Sequence, residues 1–254
     1  MIQISVPSPE DRLTVAMYLA ARDWLLANDP DAARILTWSR REVAPPRTPE
    51  DMAREIVWII LCAGRSAQAA RTIEAKVWRA MESGEPVVSA FGYRAKAAAI
   101  ERAWFDRDRD FVALQGVVAT GDPEALIAWC KTLPFVGDDT KYQLAKNFGA
   151  DVCKPDIWLC RLAGIPDKPR YPIKMRFPAC MDLCRMLARA TNDRAAAVDS
   201  LLWLACNKGV LVTDAQASPI TLNNNPPRMR SIYESSADGT KDATSRQSQL
   251  ALDL

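Results

Sequence analysis

The chain has 254 residues, a formal net charge of +2, 49% hydrophobic and 25% charged residues, and no histidine. This length and apolar fraction are enough for one large domain or two small ones with a buried core. The lack of histidine excludes Ser-His-Asp and Cys-His catalytic pairs and zinc sites built on imidazole, so any proton transfer must use other side chains or water.

Helical patterns dominate the chain in sequence order. Ser8-Pro9-Glu10-Asp11 and Thr48-Pro49-Glu50-Asp51 each combine a capping residue, a proline at the first helical position and two acids in the first turn. Apolar residues then recur at helical spacing, and few segments alternate as strands do. The predicted helices span residues 13–26, 56–62, 66–81, 93–104, 123–131, 138–147, 156–163, 178–190 and 194–206. We therefore predict an all-α core.

The composition changes from about residue 214. Asparagine, proline, serine and threonine replace the apolar residues, and little remains to bury. We predict a helical domain over residues 1–213 and a polar, disordered tail over residues 214–254.

The seven cysteines are odd in number and lie mostly inside apolar runs, which indicates reduced thiols used as small buried hydrophobes. The N-terminus lacks the basic and apolar regions of a signal peptide. The longest apolar run, residues 56–63, is too short to span a membrane. We expect a cytoplasmic protein that does not bind membranes.

The most informative segment is residues 131–164. Two predicted helices flank the turn Leu133-Pro134-Phe135-Val136-Gly137, and a second turn at 147–149 leads to Lys154-Pro155-Asp156 and another helix. A tight turn with glycine before a helix N-terminus presents backbone N–H groups, which suits a phosphate.

This segment resembles the helix-hairpin-helix DNA glycosylase superfamily, whose signature is a Leu-Pro-Gly-Val-Gly hairpin and an aspartate about twenty residues later. Asp156 stands at the place of that aspartate, and Arg161 at the place of the arginine that usually follows. The similarity covers about residues 50–210 in the right order. It includes residues 55–81, Phe91-Gly92-Tyr93-Arg94-Ala95-Lys96-Ala97, and a closing helix around 198–203. The resemblance implies a two-lobed helical glycosylase fold with its hairpin motif near 131–149.

The family's activity is to flip a damaged or modified base out of duplex DNA and to hydrolyse its N-glycosidic bond. By resemblance, Asp156 would stabilise the oxocarbenium-like transition state and align or deprotonate a water. The candidate DNA-binding residues are Arg65 as the side chain inserted into the vacated stack, Phe135, Val136, Gly137, Thr140, Lys141 and Arg161. The candidate walls of the base pocket are Trp58, Tyr142 and Trp158.

The hairpin also departs from the family pattern. Phe135 replaces the first glycine, and Asp138 and Asp139 place carboxylates beside the expected phosphate. Asp139 occupies the position of the Schiff-base lysine found in members that also cleave the DNA backbone, and Lys141 lies two residues further on, so we expect no lyase activity. The four-cysteine iron–sulfur loop of some relatives is absent. We expect no required cofactor and no metal site, although a monovalent cation at the hairpin carbonyls is typical of the family.

Simpler roles compete for the same residues. An aspartate after Lys-Pro at a helix start is commonly a cap. Arg65 can be a solvated surface residue, Trp58 a core residue, and Arg161 a partner in an intramolecular salt bridge. Lys146, like Lys141, is by default an exposed helix charge.

Two other functions stay open. One is DNA hypermodification by an amino acid:DNA transferase acting on activated 5-hydroxymethyluracil in phage DNA, in which Asp156 would position an amino nucleophile. The other is a non-catalytic DNA-binding relative that kept the fold. In every case the expected partner is double-stranded DNA and the expected state is a monomer.

Overall fold

The computed structural model describes residues 12–65, 67–223 and 225–226. Within these ranges the chain is mostly helical, with a single two-stranded antiparallel sheet, so the all-α prediction is confirmed. The helices are α1 Val15–Asn28, α2 Pro30–Thr37, a π-helical turn Trp38–Glu42, α3 Pro49–Cys62, α4 Ala67–Glu82, α5 Val87–Phe91, α6 Arg94–Phe105, α7 Arg107–Ala119, α8 Pro123–Thr132, α9 Thr140–Asn147, α10 Ile157–Leu162, α11 Ile173–Thr191 and α12 Ala195–Asn207, and the strands are β1 Leu211–Val212 and β2 Thr221–Leu222.

The described residues divide into two compact units. The first unit contains residues 12–42 and 151–226, which carry α1, α2, α10 to α12 and the sheet. The second unit is the continuous segment Val43–Ala150, which carries α3 to α9. The predicted hairpin belongs to the second unit and Asp156 to the first.

The core of the second unit is built around α3. Thr48 caps this helix by accepting a hydrogen bond from the amide of Asp51 over 3.1 Å, and Pro49 occupies the first helical position. The predicted start signal is therefore confirmed. Nearly every side chain from Met52 to Leu61 is buried, because α4, α6, α7 and α9 all pack against α3.

The core of the first unit is built around α12. Its side chains are buried along almost its whole length, and α1, α2, α10 and α11 pack against it. Just beyond its end, the buried ammonium of Lys208 lies 2.9 Å from Asp29 and 3.6 Å from Asp31. These oppositely charged groups compensate one another where each alone would be costly to bury.

Several elements differ from the prediction. The helices α2, α5 and α7 were not predicted, although Asp29 and Pro30 give α2 the same start signal as α3. Helix α11 begins at Ile173, and Pro178, predicted as its start, lies inside it. The start signal at residues 8–11 lies outside the described residues.

The disordered tail was predicted to begin at residue 214, but the chain forms a second strand, β2, beyond that point. Leu211 pairs with Leu222 and Val212 with Thr221, and Ala217 and Ile220 are buried between these pairs. Residues 214–223 are therefore ordered, because a few apolar side chains are enough to hold the β1–β2 strand pair against an existing core. The tail beyond residue 226 lies outside the described residues.

Candidate functional site

The turn predicted to bind DNA joins α8 to α9. Leu133 ends α8 in an extended conformation, and Phe135 then adopts a left-handed backbone conformation with φ of 62°. The amide of Val136 donates to the carbonyl of Leu133 over 3.2 Å and closes the turn. The segment therefore forms the tight helix–turn–helix connection that its sequence predicts.

Two amides of this turn are used inside the protein. Besides the amide of Val136, that of Gly137 donates to Oγ1 of Thr140 over 2.7 Å. The carbonyl of Gly137 accepts from the amide of Lys141 over 3.1 Å. The amides of Val136 and Gly137 therefore have acceptors within the hairpin, and the side chain of Val136 is buried.

Charged side chains surround the turn. Asp138 pairs with Lys131 at 3.0 Å, and both side chains are largely exposed. This pairing offsets part of the repulsion that Asp138 would exert on a phosphate. The ammonium of Lys141 lies 5.0 Å from the centre of the Tyr142 ring, in the first turn of α9.

Arg65 lies in an exposed loop directly after α3. Its amide donates to the carbonyl of Cys62 over 3.0 Å, and its guanidinium lies 5.0 Å from the centre of the Phe91 ring. The side chain is exposed, as a residue inserted into a DNA stack must be. Its role as that residue stays a prediction.

Two of the three predicted pocket walls are buried in the core. Trp58, at the centre of α3, is 1% exposed, and Tyr142 is 7% exposed. The simpler role of Trp58 as a core residue is confirmed, and neither ring is exposed to receive a base in this structure. Trp158, in α10, is half-buried and remains available as a wall.

Asp156 is the N-cap residue of α10. Its Oδ1 accepts a hydrogen bond from the amide of Leu159 over 3.0 Å, and its own amide donates to the carbonyl of Lys154 over 2.8 Å. The side chain is half-buried. The capping role expected from Lys-Pro-Asp is confirmed, and it fixes the orientation of the carboxylate at a helix N-terminus.

Two hydrogen bonds, one donated by each element, join the segment before Asp156 to α12. Asp151 accepts from the amide of Ala196 over 2.9 Å, and Asp199 accepts from the amide of Lys154 over 3.1 Å. The carbonyl of Pro155 also accepts from the buried guanidinium of Arg176 over 2.8 Å, and the thiol of Cys160 lies 3.4 Å from it. These contacts hold the backbone that carries Asp156.

Asp151, Asp199 and Arg176 were not predicted as site residues. Their partners here are backbone atoms distant in sequence, and such contacts leave no pattern in the sequence.

Arg161 forms an intramolecular salt bridge. Its guanidinium makes two hydrogen bonds, of 2.9 and 2.6 Å, to the two carboxylate oxygens of Asp167, and it lies 5.0 Å from the centre of the Trp158 ring. The hydrogen bond from Arg161 lowers the pKa of Asp167, and the same bond raises the pKa of Arg161. The intramolecular salt bridge expected as the simpler role of Arg161 is confirmed, and its contact with DNA stays a prediction.

A buried polar chain in the second unit was not predicted. Asn147 donates from its side-chain amide to Oε1 of Glu55 over 2.5 Å, and Gln143 donates to Oδ1 of Asn147 over 2.8 Å. All three side chains are buried, and so is Lys146, which was expected to be exposed. The only sequence signal is the spacing of four residues between Gln143 and Asn147, which places both side chains on the same face of α9.

The thiols follow the prediction. All seven cysteines are free and six are buried. Burial raises the pKa of Cys206 to about 12 and that of Cys130 as well, so both thiols stay protonated at neutral pH. Among the residues that the structure describes, no three side chains of histidine, cysteine, aspartate or glutamate come together as a metal site.

No helix in the described ranges has both the length and the apolar character needed to cross a membrane. Comparison of the chain with protein-family models, with curated proteins and with solved structures finds no match.

Proposed function

We propose that this protein is a monofunctional DNA glycosylase that hydrolyses the N-glycosidic bond of a damaged or modified base. The observation that carries the proposal is Asp156, a half-buried carboxylate fixed at the start of α10, about twenty residues after a tight turn between two helices. This order and spacing are those of the helix-hairpin-helix glycosylases that the sequence resembles.

The chemistry needs a fixed negative charge. Breaking an N-glycosidic bond develops positive charge on the sugar, and a carboxylate held in place stabilises this charge without reorganising during the reaction. The amide of Leu159 holds one carboxylate oxygen of Asp156, while Asp199 and Arg176 hold the backbone before it. A water oriented by the same carboxylate would complete the hydrolysis.

The side chains near Asp156 support binding of a planar group. The half-buried Trp158 lies two residues further along α10, and the exposed Ile157 lies between them. An aromatic ring of this kind can stack on a base that has left the duplex. The guanidinium of Arg161, held by Asp167, lies over the Trp158 ring, 5.0 Å from its centre.

The test is mass spectrometry of free bases and nucleosides after incubation with genomic DNAs that carry damaged or hypermodified bases. Asp156→Asn is the diagnostic variant, because asparagine caps a helix as well as aspartate but lacks the charge. Asp122→Asn is the matched control, because Asp122 caps α8 in the same way, through the amide of Glu124. We expect the wild type and Asp122→Asn to release a base, and Asp156→Asn to be slower by a factor of about 100 or more.

The same experiment separates the alternatives. A mass gain on an intact nucleoside that depends on an added amino acid would replace the proposal by an amino acid:DNA transferase, which the altered hairpin favours. Base release that is unchanged in Asp156→Asn would remove Asp156 from the mechanism. DNA binding without any product, on every substrate tried, would leave a non-catalytic DNA-binding protein.

A further inference from the structure

The second unit carries a row of three aromatic side chains on its surface. Phe91 ends α5, Tyr93 precedes α6, and Phe135 lies in the hairpin turn. The ring centres of Phe91 and Tyr93 are 6.3 Å apart, and those of Tyr93 and Phe135 are 6.1 Å apart. The rings meet edge to face, at 72° and 80°, so no two of them are stacked in parallel. We call these three residues the aromatic row.

The aromatic row faces solvent. Tyr93 is 48% exposed and Phe135 is 39% exposed, whereas the core of this unit is built around α3. Folding of the unit therefore does not account for their exposed ring surface. A contiguous exposed apolar surface of this kind is a feature of binding sites.

The backbone of Phe135 strengthens this argument. Its φ of 62° lies in the left-handed region, which glycine adopts freely and other residues adopt at a cost. A glycine would fit this turn with less strain, because the cost comes from the Cβ atom that every other residue carries. Strain of this kind in an exposed residue points to a functional role of its side chain.

Cations lie beside the row. The guanidinium of Arg65 lies 5.0 Å from the centre of the Phe91 ring, and the exposed Arg94 directly follows Tyr93. Of the two acidic residues of the adjacent hairpin, Asp138 and Asp139, the first is paired with Lys131. Aromatic rings interleaved with arginines bind nucleic acid whose bases are unpaired, because the rings stack on the bases and the cations contact the phosphates.

We propose that the aromatic row stacks on the bases of an unpaired stretch of DNA, with the exposed Arg94 contacting its phosphates. In intact duplex DNA the faces of the bases are covered by their neighbours, so the row is expected to favour single-stranded or locally opened DNA. The inference rests on the proposed function for the choice of DNA as the partner. It assigns the hairpin a contact through the Phe135 side chain instead of the amides of Val136 and Gly137, which are used internally.

The test measures the affinity of the full chain for three labelled probes by fluorescence anisotropy. The probes are a single-stranded thymidine oligomer, the duplex that it forms with a complementary deoxyadenosine oligomer, and an abasic chain of the same length. The abasic chain keeps the phosphates and lacks the bases. We expect the thymidine oligomer to bind at least tenfold more tightly than the abasic chain, the order expected from stacking of one or more bases. We expect it also to bind more tightly than the duplex.

Tyr93→Ala and Phe135→Gly should each weaken binding of the thymidine oligomer about tenfold and leave binding of the abasic chain unchanged. Phe105→Ala is the matched control, because Phe105 is 73% exposed and lies at the opposite end of α6 from Tyr93, roughly 18 Å away. It should leave all affinities unchanged. Phe135→Gly keeps the left-handed conformation accessible, and thermal unfolding of each variant shows whether it remains folded.

The outcomes distinguish this proposal from the proposed function. Equal binding of the thymidine oligomer and the abasic chain, equal effects of Phe105→Ala and Tyr93→Ala, or no binding of any probe would overturn the stacking role of the row. Base release that depends on Asp156 would still stand in each of these cases. Binding that depends on the row, in a protein that releases no base, would support the stacking role and leave the glycosylase proposal without support.

Discussion

The carboxylate of Asp199, buried in α12, accepts a hydrogen bond from the backbone amide of Lys154 over 3.1 Å, two residues before Asp156. This contact makes Asp199 a positioning residue for the candidate catalytic carboxylate. It does so through the backbone, since its partner is an amide and not a side chain.

Asp199→Ala should reduce the rate of base release and lower the free energy of unfolding by about 1 kcal/mol, because it leaves the half-buried amide of Lys154 without this acceptor. Asp199→Asn keeps an acceptor oxygen and should restore most of both. Single-turnover kinetics and urea denaturation measure the two effects. A positioning role predicts a loss in kcat with little change in KM, and a loss that asparagine does not restore would contradict it.

Asp156 has a capping role that is separable from catalysis. Asp156→Ala removes the hydrogen bond to the amide of Leu159 and should lower the free energy of unfolding by about 1 kcal/mol, whereas Asp156→Asn should lower it by much less. Urea denaturation of both variants measures this difference. Equal destabilisation by both would show that the charge of Asp156, and not its cap, contributes to stability.

The salt bridge between Arg161 and Asp167 predicts a pH dependence. The hydrogen bond from Arg161 lowers the pKa of Asp167 below its ordinary value of 3.8, so the folded state favours the ionised carboxylate. The resulting stability is present above pH 3.8 and is lost as the pH falls through the lowered pKa of the folded state. The difference in free energy of unfolding between the wild type and Asp167→Asn should be constant near neutral pH and should close in acid. A difference that stays constant down to about pH 2 would contradict this assignment.

Phe135 offers a direct measure of backbone strain. Phe135→Ala and Phe135→Gly both remove the ring contact with Tyr93, but only glycine adopts the left-handed conformation freely. Phe135→Gly should therefore be more stable than Phe135→Ala by about 1 kcal/mol. Thermal and urea denaturation measure the difference. Equal stability of the two variants would indicate that the turn changes conformation when the ring is removed.

The helices that were predicted correctly carry their signals locally. Thr48 and Pro49 indicate the start of α3, and Asp156 indicates the start of α10. These signals can be read from the sequence because a capping side chain bonds to an amide within three residues of it. The sequence also predicts the turn at residues 133–137. The sequence shows that phenylalanine replaces the expected glycine at position 135. It does not show that Phe135 adopts the left-handed conformation, which depends on how the turn closes.

Several site residues make contacts that sequence spacing does not specify. Arg161 has the position expected of a DNA contact, and only the folded loop after α10 shows that Asp167 takes its charge. Trp58 lies in the buried part of α3. The run of apolar residues around it was the sequence signal that this part of the helix is buried. The partners of Asp199 and Asp151 are backbone amides about 45 residues away, a type of contact with no sequence signature.

The two hydrogen bonds between the segment before Asp156 and α12 have a consequence for how this part of the molecule opens. Asp151 of the segment caps the amide of Ala196 in α12, and Asp199 of α12 caps the amide of Lys154 in the segment. Since each element satisfies an amide of the other, neither can detach alone without exposing both. The amide protons of Lys154 and Ala196 should therefore exchange with solvent at the same opening free energy, as members of a single cooperative unit.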